Sequence, residues 1–424
     1  MNRDTVFALA TAPGRAGVAI VRVSGPEADA ACLHLAGRLP RQRMASLCRL
    51  RDEGGDTLDE ALVLRFPPGG SFTGERVVEF QCHGSRAVVS AVMLALGRLD
   101  GLRPAEAGEF TRRALENDRL DLAQVEGLAD LIDAESEAQR RQAMRALSGS
   151  MAERVESWRA RLLRAAALVE ATIDFADEEV PEDVWPEVED LVASLIVDIR
   201  GELEGVTAAQ RVREGFEVAI VGPPNAGKST LLNRLAGRDA AITSETAGTT
   251  RDIVEVRMEV LGQVVTFIDT AGLREAEDPL EAEGIRRARE RAQGADLRLI
   301  MGDVAEIRQE GDILLRPKAD LSGEGDGLGV SGVTGEGVDA LLAMVGERVV
   351  EGATGVGVAV RERHAVALTC AVEELRAASE DMGAGEAEVI APQRKVVLPD
   401  HHIPELLVQR HQQFDRLLRA CDDV

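Results

Sequence analysis

The stretch "FEVAIVGPPNAGKSTLLNRLAG" at residues 216–237 decides the reading of this chain. A short, mostly apolar run opens it, as expected of a strand buried in a parallel sheet. A glycine-rich turn and an amphipathic helix follow. Gly222, Gly227, Lys228 and Ser229 fit G-x-x-x-x-G-K-[ST], the P-loop pattern. Glycines let backbone N–H groups close around phosphates, and the helix N-terminus adds its positive dipole. Lys228 is expected to reach the β- and γ-phosphates and Ser229 to ligate Mg²⁺. The plain alternative is a ligand-free strand–helix turn, and the flanking elements weigh against it.

Further along, "ETAGTTRD" (245–252) offers Thr250 to Mg²⁺ and the γ-phosphate. "VEVRMEVLGQVVTFID" reads as a hairpin turning near Leu261-Gly262-Gln263 and ending at "FIDTAG". Asp269 then stands at a strand end, and Gly272 offers its N–H to the γ-phosphate. "RPKADL" (316–321) is similar to the guanine-reading N-K-x-D, and "VSGVTGEG" (330–337) to the loop that backs it. Asp320 would accept from guanine N1 and the 2-amino group, a donor pair that adenine lacks, so GTP is expected over ATP. Pro317 stands where the motif has asparagine, which predicts weaker guanine binding with selectivity resting on Asp320. The predicted GTP contacts are Asn225, Ala226, Gly227, Lys228, Ser229 and Thr230; Ser244, Glu245, Thr246, Ala247, Gly248, Thr249 and Thr250; Asp269, Thr270, Ala271 and Gly272; and Lys318, Asp320 and Ser331. After D-T-A-G comes Leu273, where the Ras pattern has a glutamine that orients the attacking water. Either GTP is bound without hydrolysis or another group does that work.

Composition narrows the rest. The chain has 424 residues, enough for two or three domains, and is 45% apolar. No apolar run reaches the roughly 18–20 residues of a membrane span, and the N-terminus lacks a signal-peptide layout, so a cytoplasmic location is expected. Cys32, Cys48, Cys82, Cys370 and Cys421 are scattered with no CxxC pair, which argues against a disulfide framework. The net charge of −25 lies largely in the middle: the first 118 residues balance 15 basic against 15 acidic side chains, while 119–214 carry 11 against 22. Such a surface disfavours broad coating of nucleic acid, so any RNA contact must be local or shared with a partner. Only three of the 49 basic residues are lysines, and Lys228 and Lys318 fall inside the nucleotide motifs.

The motifs "GPPNAGKST", "TAGTTRD" and "DTAGLRE" resemble the TrmE–Era–Septin branch of GTPases, and within it the MnmE (TrmE) family of tRNA-modification GTPases; the resemblance covers residues 1 to about 390. It implies that K⁺ and a glutamate replace the missing glutamine. The family's potassium site maps onto Asn225, Ser244, Thr246 and Thr249, and its water-positioning glutamate onto Glu281. Catalysis would thus rest on Glu281, Lys228 and Gly272, with Mg²⁺ on Ser229 and Thr250. Taken alone, Asn225 is equally a turn residue and Glu281 one acid in a charged helix start.

"MNRDTVFALATAPGRAGVAIVRVSG" and "ALVLRFPPGGSFTGERVVEFQCHGS" suggest an α+β domain over 1–118, similar to the family's folate-binding, dimerising domain. By position its tetrahydrofolate contacts would be Arg22, Glu79 and Arg119; taken alone, each is a surface or paired charge. A long helical tract is predicted from 108–147 onward, resuming at 361–382. The expected fold class is multidomain α/β and α: an N-terminal α+β tetrahydrofolate-binding domain (1–118), an all-α helical domain (119–214 and 353–424), and a Ras-like P-loop α/β G domain inserted at 215–352.

The family ends in C-x-G-K, whereas this chain ends "RLLRACDDV", so no role is carried over to Cys421. From about 391 the text departs from the family, with Pro392, Pro399 and Pro404 interrupting helix. A changed reading frame, a lineage-specific tail, or a zinc site using His401, His402 and His411 are the readings open here.

The resemblance implies a K⁺-stimulated GTPase and cytoplasmic homodimer. It would form a heterotetrameric complex with MnmG, an FAD-using partner, and modify C5 of wobble uridine 34 in certain tRNAs with a carboxymethylaminomethyl or aminomethyl group. The one-carbon unit would come from 5-formyl- or 5,10-methylene-tetrahydrofolate. Two rivals stand beside it: a GTP-binding switch without modification activity because of the altered C-terminus, and an Era-like ribosome-assembly GTPase. The second calls for a basic RNA-binding module or a second G domain, and neither is visible in the sequence.

Overall fold

The computed structural model describes residues 4–174, 184–238, 241–242, 255–269, 294–302, 308, 311–321 and 325–389. The chain divides into two compact units, Met1–Val125 and Glu126–Val424.

The first unit is built on six strands: β1 (Thr5–Leu9), β2 (Ala16–Ser24), β3 (Ser46–Arg51), β4 (Thr57–Phe66), β5 (Val77–Gly84) and β6 (Leu102–Pro104). They lie in the order β3-β4-β5-β2-β1-β6, antiparallel except for β1 and β6. Helices α1 (Ala28–Ala36) and α2 (Arg86–Gly97) cover one face. Strand alternation decides what lies under them: Val78, Phe80 and Cys82 of β5 and Val21 and Val23 of β2 are buried there, while Glu79 and Arg22 turn to the other face. Register sets Arg22 directly opposite Glu79, and a slip of one residue by either strand would send its charge into the core.

Helix α3 (Glu109–Glu116) is held by a buried ionic cluster. Arg113 donates to Glu75 at 3.0 Å and to Glu109 at 2.9 Å, and Arg103 donates to Glu109 at 2.8 Å. The Arg103 guanidinium, aided by the Glu106 N–H and Arg113, holds the Glu109 carboxyl down at about 2. The stability this contributes is complete above the ordinary glutamate value and is lost as pH falls toward 2. Arg113→Met, which takes the shared guanidinium from half-buried Glu75 and leaves Glu109 on Arg103, is expected to destabilise the unit by about 1.5–3 kcal/mol. Both tryptophans, Trp158 and Trp185, lie outside this unit, so hydrogen exchange of its strands in the full chain is the measurement; unchanged protection would show the cluster to be dispensable.

The expected tract of helix from 108 is broken into α3, α4 (Leu122–Ile132) and α5 (Glu137–Leu147). Asp118 adopts φ +52°, the left-handed conformation that short polar side chains tolerate, and ends α3. Ser136 restarts the helix with a reciprocal capping box to Gln139.

In the second unit, α5 and α6 (Ser150–Asp174) pack on α7 (Trp185–Glu214) together with α10 (Glu362–Val389). Val188, Val192, Leu195, Ile199, Glu202, Val206 and Ala209 are the buried line of α7, stepping alternately by four and three residues. The one charge in that line, Glu202, is paired with Arg154 at 2.9 Å and accepts from Val358 N at 2.8 Å. A single residue, Gly215, separates α7 from β7 (Phe216–Val221), the first strand of the inserted module.

That module contains α8 (Lys228–Ala236), β8 (Glu255–Val260), β9 (Gln263–Asp269), β10 (Leu297–Met301), β11 (Ile313–Pro317), β12 (Leu328–Val330) and α9 (Val338–Gly352). Its sheet runs β12-β11-β10-β7-β9-β8, parallel apart from β8. Leu231, Leu232 and Leu235 of α8 and Val338, Leu341 and Val345 of α9 are buried in its core. The turn at Leu261-Gly262 has φ of +48° and +81°, the pattern of a tight two-residue hairpin. Entry and exit of the module adjoin: a side chain placed on Gly352 would meet the Phe216 ring at 3.3 Å.

Candidate functional site

The carboxyl ends of β7, β9, β11 and β12 carry the nucleotide motifs, which is where ligands bind in open parallel sheets. Between β7 and α8 the turn uses left-handed backbone twice, Asn225 at φ +61° and Gly227 at +104°. Successive N–H groups in such a turn face one way and form an anion-binding nest. The Lys228 Nζ donates to the carbonyls of Gly222 and Pro223 at 2.7 and 2.8 Å, so the ammonium is held over the turn. Burial pushes Lys228 below its ordinary value, with Asp269 opposing. The Ser229 hydroxyl donates to Asp269 at 2.5 Å. Hydroxyl and buried carboxylate are hard oxygens suited to Mg²⁺, and the N–H groups of the nest suit a polyphosphate. Ala226 is buried, while Asn225, Ser229 and Thr230 are exposed at the mouth.

On the guanine side, Lys318 has φ +57°, and the next residue, Ala319, donates its N–H to Val330 O at 3.2 Å. Lys318 and Asp320 are exposed. Ser331 is buried, and its hydroxyl accepts from Thr334 N at 3.1 Å. Gly332 explains how this loop reaches α8: any side chain there would come within 2.7 Å of the Thr230 backbone. Ser244, Glu245, Thr246, Ala247, Gly248, Thr249, Thr250, Thr270, Ala271, Gly272, Leu273 and Glu281 lie outside the described residues, as do His401, His402, His411 and Cys421.

In the first unit, Arg22 donates to Glu79 at 2.9 Å, and its guanidinium lies 5.3 Å from the Phe72 ring centroid and 5.5 Å from that of Phe110. Arg119 rests on the same loop: a side chain on Gly74 would stand 3.0 Å from the Arg119 Cγ. Asn117 ties that loop to α3 by donating to Thr73 O at 2.6 Å. Phe72 and Phe110 were not singled out from the sequence. The recurrence of F-T beside G-E, in "SFTGE" (71–75) and "GEFT" (108–111), is the signal that marks them. An arginine paired with a carboxylate and lying within cation–π distance of two rings brings together the polar and aromatic groups that an aromatic heterocycle needs.

Comparison with known proteins decides the family. The pattern described as "GTP-binding protein TrmE N-terminus" matches residues 5–119, and "MnmE helical domain" matches residues 122–395. The chain belongs to the MnmE family. The tRNA modification GTPase MnmE of Roseobacter denitrificans is 57% identical over 376 residues, 88% of each chain. That of Parvibaculum lavamentivorans is 50% identical over 405 residues, 92% of each. The G domain of the T. maritima FeoB iron transporter matches 33% of this chain and 99% of its own, at 25% identity and TM-score 0.24. As a member of the family, the chain is a GTP hydrolase acting in tRNA modification. Among the described residues no helix is long and apolar enough to cross a membrane.

Proposed function

We propose that this chain is a K⁺-stimulated GTPase which, in a complex with MnmG, modifies C5 of wobble uridine 34 in certain tRNAs using a folate one-carbon unit. Residues 1–118 are read as the folate-binding and dimerising domain, 119–214 with 353–424 as the helical domain, and 215–352 as the inserted G domain. Mg²⁺ is assigned to Ser229 and Thr250, and K⁺ to Asn225, Ser244, Thr246 and Thr249. A fixed monovalent cation beside the transferring phosphoryl group offsets charge developing in the transition state, the work an arginine finger does elsewhere. Glu281 accepts from the bridging water, and Gly272 N–H steadies the γ-phosphate.

The observation that carries the folate half is the Arg22–Glu79 pair, whose guanidinium is within cation–π distance of both Phe72 and Phe110. A tetrahydrofolate offers a pterin for the rings, donors for Glu79, and a glutamate tail for Arg119. The sheet face bearing Arg22 and Glu79 also exposes Leu47 and Leu62, register partners on β3 and β4, which favours a second copy of the chain as its cover. The location assigned is cytoplasmic.

Steady-state GTP hydrolysis in KCl and in NaCl at equal ionic strength tests the engine. Turnover is expected to be at least about tenfold faster in KCl, with the advantage gone in Glu281→Ala. Equal slow rates in both salts would remove the potassium mechanism and leave a GTP-binding switch.

A further inference from the structure

The β8–β9 hairpin joins two nucleotide-sensing motifs. In sequence β8 begins three residues after the end of "ETAGTTRD", and β9 ends on Asp269, the residue that accepts from Ser229. The far end of the hairpin reaches the helical core. At its tip Gly262 O accepts from Ala138 N at 3.1 Å, in the first turn of α5. Arg257 of β8 pairs with Glu135 at 2.6 Å, just ahead of that turn. Gln139, also in it, accepts from Glu135 N at 2.8 Å and Ser136 N at 3.1 Å, and donates to Arg213 O at 2.9 Å, near the end of α7. Residues 135–139 therefore grip both the hairpin and the α7 terminus that leads into β7.

A cleft also opens at the joint. The side-chain oxygens of Gln142 and Gln263 are buried with no partner among the described residues. Both glutamines line one cleft of about 400 Å³ beside the hairpin tip. A cleft of that size leaves the hairpin tip room to shift against α5.

We propose that the first turn of α5 is the joint through which nucleotide state passes from the G module to the helical core, with the β8–β9 hairpin as its moving arm. The proposal rests on the GTPase reading and adds the route by which turnover is felt outside the nucleotide site. Ala138, Glu135 and Arg257 belong to none of the nucleotide motifs, so nucleotide affinity is expected to stay within about twofold of wild type when they are changed.

Hydrogen exchange of the full chain, bound to GDP and then to a non-hydrolysable GTP analogue, tests this. In wild type, amides of residues 140–147 are expected to differ by about threefold or more between the two states. Ala138→Pro deletes the one N–H that meets the hairpin tip at a helix start, where proline is best tolerated. Both it and Glu135→Arg are expected to abolish the difference, and adding Arg257→Glu to the latter to restore it through the reversed pair. Identical exchange in both nucleotide states of wild type would overturn the joint, as would variants that keep the difference. Nucleotide binding in the same samples reports separately on the GTPase reading.

Discussion

Replacing Lys228 by alanine lowers the rate of GTP hydrolysis by about a hundred- to a thousandfold, the range seen when one preorganised charge stabiliser is removed from a transition state. The side chain is 3% exposed, and its ammonium already sits over the turn on two carbonyls. Incoming phosphate oxygens therefore meet a charge that needs no reorganisation. Burial has also weakened the hold of the proton, and a γ-phosphate arriving at Nζ reverses that tendency. Lys228→Arg is expected to recover little, because a planar fork does not fit where a point charge is enclosed by a backbone turn. Single-turnover hydrolysis with GTP binding measured in parallel is the check. A rate for Lys228→Ala within tenfold of wild type would mean that the backbone nest carries the phosphates alone.

The second large effect is expected at Asp320. Two charge-assisted hydrogen bonds to guanine, each contributing about 1.5–3 kcal/mol, put the loss of GTP affinity in Asp320→Asn at about two to four orders of magnitude. The amide supplies a donor where the carboxylate accepted, so xanthosine triphosphate, with a carbonyl in place of the 2-amino group, is expected to gain where GTP loses. Pro317 makes this test sharper: with no asparagine amide at that position, fewer other contacts dilute the readout. If Asp320→Asn keeps its preference for GTP over both xanthosine and inosine triphosphates, guanine is read elsewhere.

How much was legible in the sequence follows from how local each interaction is. The P-loop is read directly because its chemistry belongs to consecutive backbone groups: the left-handed conformations at Asn225 and Gly227 and the helix starting at Lys228 lie within four residues. The hairpin turn at Leu261-Gly262 was readable for the same reason. Arg22 and Glu79 are 57 residues apart, and only strand register brings them together, so the residues alone left them as ordinary charges and the family resemblance singled them out. Phe72 and Phe110 escaped notice because their closeness to Arg22 exists only once α3 is docked. The break between α3 and α4 was missed because apolar spacing continues across it; the left-handed Asp118 ends the helix at a cost that spacing cannot register.

The contact between Gly352 and Phe216 has a bearing on heredity. A polypeptide whose beginning and end touch can be spliced into a host at one point on its surface, leaving the host's own packing unbroken. The helical partner needs only a short bridge at Gly215 to close over the gap. Such a layout lets a nucleotide-driven engine be gained or lost in one genetic event, without either part first having to learn to fold around the other.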